Sequence, residues 1–243
     1  DIDTDVTFKV FIQPLIQKQA LDGPGTPWTT RVHLLAGDYR RAFNVNARYI
    51  GSGDWAGRRF SCWIYVRRTA DDNRCRIPIG FTGYAVFRSP IAIAALVERS
   101  QVKAGAYARY AVYRGYANAV QNPTELDLPL VTADYWTGWM SRVRIVSLDG
   151  VAPTFDIELI PRLKDSCIKD RLTKRIRANE AQFTLNFAAR GYYSPWPNGS
   201  PGGCFYGALR ITADRPIVAV SSLTLFGFRG DIEAMYSALP RPE

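Results

Sequence analysis

Apolar and polar positions alternate with a period of two along most of the chain. Val6, Phe8, Val10 and Ile12 alternate with Thr7, Lys9, Phe11 and Gln13, and Phe183, Leu185 and Phe187 alternate with Thr184 and Asn186. Successive side chains of a strand point to opposite faces, so this period predicts strands with one buried face. Further strands are predicted over 31–35, 42–50, 60–67, 84–88, 91–97 and 107–113. Turn residues punctuate them: Gly51-Ser52-Gly53-Asp54, Asp71-Asp72-Asn73, Asp149-Gly150 and the run Asn198 to Gly203. Residues 169–181 fit either a basic helix or an exposed strand, and their place in a repeat selects the strand.

The pattern occurs twice. Pro27-Trp28-Thr29-Thr30-Arg31-Val32 matches Gly138-Trp139-Met140-Ser141-Arg142-Val143: a Trp, any residue, a small hydroxyl, then Arg-Val. Phe43 to Ala47 matches Phe155 to Leu159, and Phe81-Thr82-Gly83 matches Phe205-Tyr206-Gly207. Pro90-Ile91 matches Pro216-Ile217, and Pro14-Leu15-Ile16 matches Pro129-Leu130-Val131. Five collinear matches imply an internal duplication. The fold expected is all-β: two tandem β-sandwiches, immunoglobulin-like in outline, each of about seven strands with turns every 8 to 12 residues or so. The first sandwich is expected over 20–125 and the second over 126–243, with residues 1–19 an extended strand ahead of them.

Composition narrows the chemistry. The chain has 243 residues, 31 Lys and Arg against 22 Asp and Glu, and a net charge of +9. Its single His33 leaves little room for imidazole catalysis or His-based metal sites, and its position between Val32 and Leu34 reads as a strand-face residue. Asp71-Asp72 beside Asn73 reads as a turn rather than a catalytic pair, and Asp1, Asp3 and Asp5 read as a solvated terminus rather than a cation site. The glycine clusters lie between strands, so none is a phosphate loop. No enzyme activity and no cofactor are expected. The longest apolar run, Ile91 to Val97, is far short of a membrane span.

The cysteines fall as Cys62 with Cys75 and Cys167 with Cys204, outside any metal or redox spacing. Two disulfides, one per unit, are the expected pairing; four buried thiols are the alternative. Arginine pairs at Arg40-Arg41, Arg58-Arg59 and Arg67-Arg68 lie near Tyr39, Phe60 and Tyr65. They are spread over the chain rather than gathered in one stripe, which disfavours nucleic acid and suits protein partners or anionic polymers. Trp55, Trp63, Trp136, Trp139 and Trp196 could stack on sugars; Trp55 and Trp196, in Gly/Pro-rich loops, are the preferred candidates.

Leu128-Pro129-Leu130-Val131, Gly138-Trp139, Phe205 to Ala208 and Pro216 to Val220 resemble the tandem β-sandwich repeats of secreted and cell-surface bacterial proteins. The resemblance implies export, a surface or matrix role and no catalytic residues; the mature chain, its signal removed, is expected outside the cell. The function expected is a secreted structural subunit that polymerises head to tail with copies of itself into a filament or surface layer. Val6, Phe8, Val10, Ile12, Pro14, Leu15 and Ile16 are expected to act as a donor strand, because no Pro-Leu-aliphatic strand follows Ala234-Met235-Tyr236. The alternatives are a monomeric adhesin binding an anionic polysaccharide or a cell surface, and a viral coat protein.

Overall fold

The computed structural model describes residues 9–21, 27–36, 41–101, 109–114, 116–117, 123–135, 139–162, 170–187, 205–225 and 233–240. The chain folds as two compact units, residues 1–106 with 112–121 and residues 107–111 with 122–243.

The first sheet is built from β1 (Lys9–Ala20), β2 (Trp28–Leu35), β3 (Phe43–Gly51), β4 (Arg59–Val66), β5 (Thr69–Asp71), β6 (Phe81–Ser89), β7 (Ala94–Gln101), β8 (Arg109–Arg114) and β9 (Tyr116–Ala117). Its order is β4-β3-β6-β1-β2-β7-β8, with β5 on β2 and β9 on β1, and every pairing described is antiparallel. The second sheet uses β10 (Glu125–Tyr135), β11 (Trp139–Ser147), β12 (Thr154–Pro161), β13 (Leu172–Arg177), β14 (Gln182–Asn186), β15 (Phe205–Ala213), β16 (Ile217–Leu225), β17 (Glu233–Ser237) and β18 (Leu239–Pro240). Its order, β13-β12-β15-β10-β11-β16-β17 with β14 on β11 and β18 on β10, repeats the first strand for strand. The chain is thus two all-β sandwiches of one topology. Residues 172–177 form a strand, as the repeat requires.

The repeated residues have backbone reasons. The ladder of β1 with β6 slips between Gln13 and Ile16, and that of β10 with β15 slips between Leu128 and Val131. Pro14 and Pro129 sit in these bulges, where a residue with no N–H costs the ladder nothing. Thr30 Oγ1 accepts the Gln17 N–H at 3.1 Å, and Ser141 Oγ accepts the Thr132 N–H at 2.8 Å, so the small hydroxyl closes the bulged strand. Arg31 Nε donates to Asn73 Oδ1 at 3.1 Å and Arg142 Nε to Asn186 Oδ1 at 2.7 Å.

Gly83 and Gly207 are places where two strands touch. A Cβ on Gly83 would lie 2.1 Å from the Ile50 carbonyl oxygen and 2.9 Å from Phe81 Cζ. On Gly207 it would lie 2.2 Å from the Ile160 oxygen and 2.9 Å from Phe205 Cζ. Gly83→Ala and Gly207→Ala are each expected to cost about 3 kcal/mol, because backbone rather than a flexible side chain must move. Urea denaturation checks this, and each substitution should shift only its own unit's transition.

Two sequence matches slip by two residues. Gly51 opposes Gly83 and Pro161 opposes Gly207, which makes Val45, not Phe43, the counterpart of Phe155. Leu35 opposes Ala94 and Val146 opposes Val218, so Ile93, not Ile91, corresponds to Ile217. An even shift keeps every side chain on its face, so alternation alone does not reveal it.

The N-terminal strand lies inside its own sheet. β1 pairs with β6, β2 and β9, and Phe11, Ile12, Leu15 and Ile16 are buried. Of the expected donor-strand residues, Val10, Ile12, Pro14, Leu15 and Ile16 belong to β1, while Val6 and Phe8 lie outside the described residues. β18 pairs with β10 at Leu126 and Asp127, the place β9 takes on β1. Over residues 9–20 the expected separate segment is instead a strand of the first sheet.

Candidate functional site

β4 is the edge strand of the first sheet, and its side chains sort by parity. Cys62, Ile64 and Val66 turn inward, where Ile64 and Val66 are buried; Arg59, Ser61, Trp63 and Tyr65 turn outward. Trp63 is 66% exposed and Tyr65 60% exposed. A tryptophan this open on a flat sheet face has no packing role to explain it.

The neighbouring strands complete a platform. Asn44 opposes Tyr65, Asn46 opposes Trp63 and Arg48 opposes Ser61 across β3 and β4. On the other side of β3, Asn46 opposes Arg88 and Arg48 opposes Val86 of β6. The outer face thus carries two aromatic rings, two amides and the exposed arginines Arg48 and Arg88, with Arg59 and Arg67 at the two ends of β4. Among the described residues none of these four arginines makes an ion pair.

The second sheet has the same face with other chemistry. The glycine register places Arg175 and Arg177 where the first sheet has Trp63 and Tyr65. Asp156 and Glu158 stand in place of Asn46 and Arg48, and Arg210 in place of Val86. Arg210 Nε lies 3.0 Å from Asp127 Oδ1, Arg210 Nη1 lies 3.3 Å from Glu158 Oε2, and Arg171 Nη1 lies 3.1 Å from Glu158 Oε1. The hydrogen bond to Asp127 raises the Arg210 pKa, with Asp127 and Glu158 charges adding to it. Arg171, Arg210, Asp127 and Glu158 pair with one another there, while Arg175 and Arg177 make no ion pair among the described residues.

The platform is held from behind. Cys62 on β4 is disulfide-bonded to Cys75, which ends the short 3₁₀ turn Asp72–Arg74. Asp71 caps that turn by accepting the Asn73 N–H at 3.1 Å. Asp72 is fully buried, and its carboxylate accepts from the Val32 N–H at 3.0 Å, Tyr49 Oη at 3.1 Å and Lys18 Nζ at 3.1 Å. The turn reading of Asp71-Asp72-Asn73 holds, but no pattern along the chain marks Asp72 as a core anchor.

No family model, curated protein or solved structure matches this chain. The site therefore rests on its own geometry.

Trp55, one of the two preferred stacking candidates, is not free to stack on a ligand. Its Nε1 donates to the Gly80 carbonyl at 2.9 Å, and its ring packs edge-on against Phe60 and Phe81 at 6.0 and 5.7 Å. Trp196 lies outside the described residues, as do Cys167 and Cys204. Trp28 is buried beneath Arg99, whose guanidinium sits 3.7 Å above its ring. His33 is half-exposed on β2, its Nε2 3.0 Å from Glu98 Oε2. Its counterpart Arg144 is buried between Thr184 of β14 and Val220 of β16. Among the described residues no cluster of three His, Cys, Asp or Glu side chains could hold a metal ion, and no helix is long and apolar enough to cross a membrane.

Proposed function

We propose that this is an exported, non-catalytic binding protein that holds a polysaccharide against the platform of its first sheet. The observation that carries the reading is the exposed pair Trp63 and Tyr65 among unpaired arginines on β3, β4 and β6, where the duplicated face has no aromatic ring and joins Glu158, Arg210 and Asp127 in ion pairs. The flat apolar face of a sugar ring stacks on an indole, while amides such as Asn44 and Asn46 exchange hydrogen bonds with its hydroxyls. A flat surface suits an extended polymer, whereas small ligands are usually enclosed in a cleft. The Cys62–Cys75 disulfide fits the oxidising conditions outside the cell. The adhesin alternative has a surface in this platform, while residues 9–20, expected as the filament's donor strand, are paired inside the first sheet.

Trp63→Ala is expected to weaken polysaccharide binding at least about 10-fold, as truncation of a central aromatic contact typically does. Tyr65→Ala should act in the same direction with a smaller effect. Affinity electrophoresis in gels containing polysaccharide measures both. Melting temperatures should stay near wild type, because neither side chain is buried. Unchanged retardation of Trp63→Ala would remove the platform from the binding site.

A further inference from the structure

We propose that the bound polysaccharide is carboxylated, a uronic-acid polymer lying along β4. The proposal rests on the platform being a glycan site and names the class of glycan. Outward positions of a strand recur every two residues, roughly 7 Å apart. Along β4 they read Arg59, Ser61, Trp63 and Tyr65, a cation and two rings over roughly 20 Å, with exposed Arg67 in the bend just beyond the strand's end. Arg48 and Arg88 lie beside this line on β3 and β6.

Charge complementarity selects the occupant. The positions that carry Asp156 and Glu158 in the second unit carry Asn46 and Arg48 in the first, so the face has no carboxylate among its described residues to neutralise four arginines. A guanidinium offers a planar pair of N–H donors that matches a carboxylate in two parallel hydrogen bonds. A neutral glycan would use the rings and leave the arginines unanswered. A single-stranded nucleic acid would also meet rings and arginines, but the arginines lie as scattered pairs rather than as one stripe along the chain, and the Cys62–Cys75 disulfide fits oxidising conditions outside the cell.

The test compares polygalacturonate and alginate with fully methyl-esterified pectin, and with a 20-nucleotide single-stranded DNA, by isothermal titration calorimetry on the full chain. Esterification keeps the sugar backbone and removes the charge. The expected result is at least 10-fold tighter binding to polygalacturonate or alginate than to the ester, falling at least 10-fold between 50 and 500 mM NaCl. Arg48→Ala with Arg88→Ala should abolish that preference, and the Lys replacements should restore part of it. Both side chains are exposed, so a circular dichroism melt near wild type is expected for each variant. Equal affinity for acid and ester, with both lost in Trp63→Ala, would overturn the charge assignment and leave the glycan platform standing. No glycan binding, or tighter binding to the oligonucleotide, would overturn both.

Discussion

A chain lacking residues 1–17 is expected to keep its second unit folded and lose its first. The deletion removes most of β1, which is paired on one edge with β6 and on the other with β9 and β2. It takes with it Phe11, Ile12, Leu15 and Ile16, each at most 4% exposed. Burying one such side chain is worth about 1.5–3 kcal/mol, so four account for roughly 6–12 kcal/mol. A domain's whole stability is about 5–15 kcal/mol, so the first sandwich has no margin to lose them. Proton–nitrogen correlation spectra should keep about half their dispersed signals, and limited proteolysis should leave a fragment beginning near residue 122. A truncated chain with both units folded would show that β1 is dispensable, and would return the N-terminal strand to the role of a donor.

The duplication was legible because its marks are imposed by the backbone. Pro14 and Pro129 occupy bulges, Thr30 and Ser141 close them, and Gly83 and Gly207 admit no side chain. Such residues cannot drift while the topology stays. The faces can drift, and they have. In the run Phe60 to Val66 the outward parity is marked by Ser61, with Arg59 and Arg67 just outside it, and Trp63 and Tyr65 share that parity with them. The partner strand carries the same signal: Asn44, Asn46 and Arg48 alternate with Val45, Ala47 and Tyr49 and fix the polar face of β3. Pairing that face with β4 needs the register, which the two-residue slip of the repeat match obscured. β9 and β18 are two residues long, too short to carry a period.

Asp72→Ala should be the most damaging single substitution in the first unit. The carboxylate meets the Val32 N–H, Tyr49 Oη and Lys18 Nζ, and Lys18 Nζ also donates to the Thr30 carbonyl at 2.8 Å. Alanine leaves three donors without their acceptor, one of them charged, in a place water does not reach. Removing one partner of a buried ion pair costs about 3–5 kcal/mol. Asp72→Asn keeps the size and one acceptor oxygen and should cost less. The second unit has nothing to lose here, since Leu159 and Leu185 occupy the places of Tyr49 and Asp72. The same cluster sets an alkaline limit. Burial first, then the charge of Asp72 and its hydrogen bond, raise the Tyr49 pKa above its ordinary 10.0. The folded state therefore holds the phenol proton more tightly than the unfolded chain. That stabilisation is complete below pH 10 or so and is lost as pH rises beyond it. Tyr49→Phe should remove this dependence from the first unit while costing about 1–3 kcal/mol at neutral pH, because Asp72 then lacks one donor. Urea transitions at pH 7 and pH 11 on the wild type and both variants measure it. An Asp72→Ala transition within about 1 kcal/mol of wild type would mean that the carboxylate does not anchor the turn behind β4.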